Sequence, residues 1–426
     1  MQPCRTTLPI LAAAAVAACS AGTPQTAAVV ECEPGNAGLT LPAGFCAIAF
    51  ADIVGEARHI VVRPDGDVLV ATYPSDDAPG GVVVLRDTTG DGRSDVSSTW
   101  GPEAGGTGLA LDGDHVWFAT DDAVLRYNLP SGRLEPGMPA DTIVYGLPAD
   151  RSHRAKTLAL ANDRLFVNIG SPSNSCQRQD REAGSPGMDP CPELETRAGI
   201  WVFDANAPGQ TQADGSRFAT GIRNAVAIGI NPADDGLFAM QHGRDQLAAN
   251  WGEMYDAEAS ANKPAEELLA VDHGDDFGWP YCYYDPALGR KVLAPEYGGD
   301  RETAGRCAEK EDPIFAFPAH WAPNDLLFYS GAMFPPRYRE GVFIAFHGSW
   351  NRAPLPQEGY NVVFLPFNAG APLANFDVFA EGFAGDDVSP GGSEHRPTGL
   401  AQGPDGSLYI SDDKAGMIWR VVYQGQ

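Results

Sequence analysis

The stretch Pro404-Asp405-Gly406-Ser407-Leu408-Tyr409-Ile410 has a near copy in Pro64-Asp65-Gly66-Asp67-Val68-Leu69-Val70. Each is a tight turn running into an apolar triplet. The triplet returns four more times, as Val116-Trp117-Phe118, Leu165-Phe166-Val167, Leu237-Phe238-Ala239 and Val342-Phe343-Ile344. Turn residues precede three of these copies: Asp112-Gly113, Asn162-Asp163 and Asp234-Asp235-Gly236. A repeated unit cannot bury its apolar face alone, so such copies must stack on one another. We read each triplet as the inner strand of a repeat, followed by a turn and a second strand within 81–86, 123–127, 199–203, 361–367 or 417–422.

Alternating apolar residues, short runs and turn punctuation mark these segments as strands. No sustained helical period interrupts them, although 246–270 is expected to hold short helical turns. Gly 49 and Pro 35 make up nearly a fifth of the 426 residues, which suits many tight turns. Six strand repeats without intervening helices imply an all-β six-bladed propeller with loop insertions. The long intervals between copies place one large insertion at 243–320 and a smaller one at 171–197, and loops of that size on a repeat scaffold gather on one face. Only four residues follow Val422. The closing strand of the last blade is therefore expected from the N-terminal segment beyond Val30.

A net charge of −27 leaves nucleic acid without the Lys and Arg partners its phosphates need, and it disfavours adsorption to anionic lipid. At the N-terminus, Arg5 precedes an apolar run from Leu8 to Ala18 and then Cys19. The run is too short to span a bilayer and fits an export signal. Val16-Ala17-Ala18-Cys19 resembles the bacterial lipoprotein box, and an ordinary cleavage after a small residue fits the same stretch. The expected organisation is a signal at 1–18, a tether at 19–30 and a propeller at 31–426, facing the periplasm and touching the membrane only through a lipid on Cys19. With Cys4 and Cys19 set aside, six cysteines remain, and an even number in an exported chain implies disulfides. Sequence proximity suggests Cys32–Cys46, Cys176–Cys191 and Cys282–Cys307. No Cys-x-x-Cys-His occurs, so no c-type haem is attached.

Upstream of several triplets, where the preceding strand starts, stand Arg58-His59, Ser152-His153, Arg223-Asn224, His320 and His395-Arg396. A radial repeat brings equivalent positions to one end of one axis. One such residue is ordinarily a local structural partner. Five sets in an acidic chain point instead to a compact, multiply charged anion across the propeller mouth. His153 is suited to proton exchange near neutral pH. Arg223 and Asn224 suit charge developing on a second molecule. Gln241-His242-Gly243-Arg244-Asp245 offers carbonyl and carboxylate oxygens of the kind a hard cation takes. The segment 87–95 has part of a calcium-loop pattern, but Ser98 stands where the twelfth-position Glu is required, so we read it as a surface turn.

Several stretches together resemble the pyrroloquinoline-quinone (PQQ) dependent sugar dehydrogenases, especially the sorbosone and pyranose dehydrogenase branch. They are Gly221-Ile222-Arg223-Asn224, Gly243-Arg244-Asp245, Asp276-Phe277-Gly278-Trp279-Pro280-Tyr281-Cys282-Tyr283, His347-Gly348-Ser349-Trp350-Asn351-Arg352, and Arg396-Pro397 with Gly403-Pro404-Asp405-Gly406. The resemblance implies His153 as the base that takes a sugar hydroxyl proton. It implies Arg223 and Asn224 against the quinone, with Arg223 stabilising the developing oxyanion. The carbonyls of Gly243 and Arg244 would bind Ca²⁺, and Arg396, Arg352 and His347 would neutralise cofactor carboxylates, with Arg58 lining the same mouth. It further implies a sugar-like substrate and a separate electron acceptor. Two other classes fit a propeller. A calcium-dependent lactonase-type hydrolase needs Glu, Asn and Asp side chains on the axis. A non-catalytic glycan- or protein-binding propeller leaves His153 and the arginines to structure alone.

Overall fold

Six antiparallel sheets, five of four strands and one with a short fifth strand, Ala371–Pro372, are arranged around an axis in this computed structural model, which describes residues 30–425 apart from 53, 77, 151, 369 and 374. The expected signal, Cys19 and almost all of the tether lie outside the described residues. Blade 1 comprises Glu56–Val62, Val68–Tyr73, Gly81–Arg86 and Val96–Trp100. Blade 2 comprises Gly108–Asp112, His115–Ala119, Val124–Asn128 and Asp141–Val144. Blade 3 follows with Leu158–Ala161, Arg164–Ile169, Gly199–Asp204 and Ser216–Thr220. Blade 4 is Ala227–Asn231, Gly236–Gln241, Glu266–Val271 and Phe315–Phe317. Blade 5 is Pro323–Phe328, Gly341–Phe346, Asn361–Asn368 and Asp377–Ala380. Blade 6 takes Pro397–Gln402, Leu408–Asp412 and Ile418–Tyr423 from the C-terminal end and Phe45–Ala51 from the N-terminal end. The first strand of every blade packs against the first strands of both neighbouring blades, which closes the ring.

The recurring apolar triplets are the second strands of the blades. The axis-lining strands are the ones before them. The reason is steric. First strands converge on the axis and carry small residues, as in Leu158-Ala159-Leu160-Ala161 and Ala227-Ile228-Gly229-Ile230. Second strands lie between two blade faces and bury nearly every side chain, as Val68–Tyr73 and Gly341–Phe346 do along their whole length. Apolarity therefore peaks one strand out from the axis.

Disulfides join Cys32–Cys46, Cys176–Cys191 and Cys282–Cys307, the pairs suggested by proximity. The insertion after the second strand of blade 4 holds two short helices, Leu247–Asn250 and Ala257–Ala261, and a hairpin, Cys282–Asp285 with Arg290–Leu293. The last part of the expected helical region is the strand Glu266–Val271. The smaller insertion packs its disulfide against Trp279 of the larger one, so the two form a joint cover over blades 3 and 4.

Candidate active site at the propeller mouth

In an antiparallel blade the start of the first strand, the end of the second and the start of the third share one end. That end carries the charged residues. His153, Arg223, His320 and Arg396 precede first strands, and Arg58 sits at a register break inside one. His242 to Asp245, His347 to Asn351 and Asp413 follow second strands, and Glu266 opens a third.

His153 has a left-handed backbone, φ 49, which turns its ring toward Ser171. Its Nδ1 lies 2.7 Å from the Ser171 carbonyl and 3.1 Å from Ser171 Oγ. A carbonyl only accepts, so Nδ1 carries the hydrogen and Nε2 keeps a free lone pair. Burial first, and then the Arg223 charge, hold this imidazole well below its ordinary range and therefore neutral at pH 7. Gly170 is required beside it. A Cβ there would stand 2.6 Å from His153 Cβ and 2.7 Å from Asn224 Oδ1.

Arg223, 3% exposed, donates to the Asn174 carbonyl (3.2 Å), the Gly243 carbonyl (2.9 Å) and Asp245 Oδ2 (2.8 Å). Asp245 Oδ2 also accepts from Arg181 at 3.0 Å, and Oδ1 accepts from Asn351 Nδ2 at 2.8 Å. Burial alone would raise the Asp245 carboxyl, but Arg223, His320 and Arg181 outweigh it and hold the group well below the usual carboxylate range. Asn224 is buried, and its Oδ1 accepts from Asn168 at 3.3 Å. Glu266 accepts the Gly243 N–H at 2.7 Å and the Ala322 N–H at 3.0 Å, with burial pushing its carboxyl up to about 7.

A second cluster centres on Asp413. His347 Nε2 donates to Asp413 Oδ1 at 2.8 Å, and Arg58 pairs with Oδ2. Arg396 adds its charge and donates to the His347 carbonyl at 3.2 Å. Burial would raise this carboxyl too, and His347, Arg58 and Arg396 bring it down. The two clusters are electrostatically continuous: His153 feels His242, and His242 feels His347. A cavity of about 120 Å³ lies among His153, Arg223, His242, Gly243, Asp245, Glu266, His320, Ala322, Ser349 and Asn351. An open cleft of about 810 Å³ reaches Arg396 and Asp413 between blades 6 and 1.

The structure thus brings His153, Arg223, Asn224 and Gly243 together, and His347, Arg58 and Arg396 beside them. Arg352 lies apart. Its guanidinium is spent on the Ala261 and Pro356 carbonyls and on Glu358. Arg244, named for its backbone carbonyl, has its side chain buried against Glu296. Of the strand-start residues, His59 bonds the Asn324 carbonyl at 2.8 Å and His395 bonds Asp412 at 2.7 Å, both structural partners. Asp413, Glu266 and Asn351 received no role from the sequence, and Asp245 only that of offering a carboxylate to a cation. Asp413 could have been found by inspecting strand ends as well as strand starts, because it follows a recurring second strand.

Two guanidiniums gather on each carboxylate, Arg223 and Arg181 on Asp245, Arg58 and Arg396 on Asp413. Arg181, at the rim, shares its charge with Asp180 at 3.8 Å as well. Four arginines gathered at the mouth of a chain of net charge −27 suit an anion. Arg58 Nε, buried without a hydrogen-bond partner, asks for an acceptor. Asn351 Oδ1, buried and equally unpartnered, asks for a cation or a hydroxyl. The mouth of this six-bladed propeller thus carries arginines, two buried carboxylates and a neutral histidine side by side.

The TrAA12-like family model matches residues 39–424. The chain belongs to that family, a family of PQQ sugar dehydrogenases. An uncharacterized protein of Borreliella burgdorferi is 30% identical over 264 residues, 62% of this chain and 58% of its own length. The chain therefore spans little more than half of that relative. A pyrroloquinoline quinone-dependent sugar dehydrogenase of Hypocrea jecorina (strain QM6a) is 23% identical over 342 residues, covering 74% of this chain and 73% of that protein. Among solved structures, the calcium structure of the Trichoderma reesei family AA12 enzyme superposes with a TM-score of 0.73 at 21% identity, covering 91% of this chain and 97% of that one. This last likeness shows the fold.

Proposed function

We propose that this protein is a quinoprotein that oxidises a sugar or sugar-derived alcohol or aldehyde, with PQQ and Ca²⁺ as cofactors. The observation that carries the reading is His153: neutral, fixed by Ser171 with Nε2 free, and set beside Arg223. When bound, PQQ supplies the acceptor for the hydride and Ca²⁺ a Lewis acid. Arg58 and Arg396 would meet carboxylates, with Arg58 Nε satisfied in the process. Arg223 and Asn224 would lie against the quinone oxygen that gains charge. His153 Nε2 would take the hydroxyl proton of the substrate. Gly243, Arg244 and Asn351 would offer oxygens to Ca²⁺, and for Gly243 to serve, Arg223 must release its carbonyl. His347, through Asp413, holds the Arg58 and Arg396 pair in place. A lactonase-type site would need Asp245 uncommitted, and two arginines hold it.

The electron acceptor is a separate molecule, and the segment 1–18 with a lipid on Cys19 would place the enzyme on the periplasmic side of the envelope. Fatty-acid labelling of the expressed chain, lost in Cys19→Ser, tests the anchor. For the activity, the purified protein loaded with PQQ and Ca²⁺ should reduce an artificial acceptor with a member of an aldose, ketose and osone panel. No turnover with any of them despite bound cofactor removes the proposed reaction.

A further inference from the structure

The chain has eight tryptophans, and all but one are buried or half-buried. Trp350 is 59% exposed. It stands in the loop between the second and third strands of blade 5, and its nearest neighbours there are pinned. His347 is bound to Asp413. The Gly348 N–H donates to the Trp321 carbonyl at 2.8 Å, and a Cβ on Gly348 would stand 2.3 Å from the Tyr360 ring. Ser349 Oγ donates to the His320 carbonyl at 2.9 Å, Asn351 Nδ2 to Asp245 at 2.8 Å, and Arg352 to the Ala261 and Pro356 carbonyls. The indole of Trp350 itself takes part in no hydrogen bond, ring contact or ion pair among the described residues. An apolar ring held outward by a loop that is fixed on both sides is preorganised for a ligand, since little remains to be ordered on binding.

Its neighbours locate that ligand. Ser349 and Asn351, on either side of it in the chain, line the cavity that also holds His153, which places Trp350 at the edge of that cavity. An indole offers a flat apolar face and one N–H donor. That pairs with a molecule having an apolar C–H face and hydroxyls at its edge, which describes a sugar ring and not an open-chain polyol.

We infer that Trp350 is the stacking platform of the substrate subsite and selects cyclic sugars by their C–H face. The inference rests on the sugar-oxidising reading above and names the residue that confers ring selectivity. It is tested with Trp350→Ala and Trp350→Phe in the full chain. In the loaded enzyme, Trp350→Ala should raise KM for a hexopyranose substrate about tenfold, with the loss falling on KM rather than on kcat and with KM for a small dye acceptor unmoved. Trp350→Phe should recover most of the loss. A second measurement does not use turnover: D-glucose, D-galactose and D-mannose are titrated into the cofactor-loaded protein under anaerobic conditions and followed by ligand-observed NMR, with D-sorbitol alongside. The hexoses should bind more tightly than sorbitol to the natural protein and lose that preference in Trp350→Ala. Such a preference without any turnover would sink the reaction and keep the platform. Equal binding by the natural protein and Trp350→Ala, no hexose binding to the natural protein, or an effect confined to the acceptor KM would each overturn the platform.

Discussion

At the scale of single residues, the account turns on which nitrogen of His153 is free. The Ser171 carbonyl fixes Nδ1 as the donor, leaving Nε2 to accept a proton. Replacing His153 by Ala should cost about 10²–10⁴-fold in kcat, the usual worth of a positioned base, while PQQ affinity stays within a few-fold. Gly170→Ala would press a methyl against both His153 and Asn224. We expect about a 10²-fold loss of kcat in a protein that still folds, checked by steady-state kinetics beside a thermal melt. Acid should act through the buried imidazoles. His153, His320 and His347 are all lowered by burial, and His242 is lowered from 6.5 to about 4. The unfolded chain therefore binds protons first, so this contribution to stability is complete above pH 6.5 and is lost as pH falls toward about 4. Urea midpoints measured from pH 7 to pH 4 should fall across that window. His153 was legible in the sequence because it precedes a first strand. Ser171, which orients it, was not, since the pairing joins the two ends of a strand pair that only the fold brings together.

At the scale of elements, the two insertions act on the site from outside the blades. The Asn174 carbonyl, two residues before the loop closed by Cys176–Cys191, accepts from both Arg223 Nε and Trp279 Nε1. Removing that disulfide in Cys176→Ala with Cys191→Ala opens a loop of sequence separation 15, a loss of about 3 kcal/mol by chain entropy. Denaturant titration reads that loss, and cofactor affinity should fall with it because Arg223 loses its carbonyl anchor. The even number of cysteines, their spacing and the position of both insertions were visible in the sequence. The assignment of Arg352 to the cofactor illustrates what was not. It stands in a family-like motif, but a long side chain reaches whichever carbonyl or carboxylate lies nearest. Here those partners, Ala261, Pro356 and Glu358, sit in the insertion or in its own loop. The misplaced inner strand has a different cause. Crowding at the axis demands small residues, so the strongest hydrophobic signal belongs to the second strand.

At the scale of the molecule, the ring is closed by Phe45–Ala51 pairing with Ile418–Tyr423, the two ends of the chain in one sheet. Truncation through Ala51 should abolish the cooperative melt seen by circular dichroism, because an open ring leaves the first and last blades each with an unpaired face. Closure was foreseeable from the short C-terminal remainder after Val422. It also makes the site, since Arg58 from blade 1 reaches Asp413 of blade 6 only across that seam. The same closure gathers Arg58 and Arg396 at one end of an acidic protein, and PQQ is expected to be held there. Calorimetric titration of PQQ into the full chain with Ca²⁺ present tests it most directly. The account predicts saturable binding at one PQQ per propeller, weakened at least about tenfold by Arg396→Ala. Absence of saturable binding, or binding indifferent to Arg396→Ala and Arg58→Ala together, would contradict it.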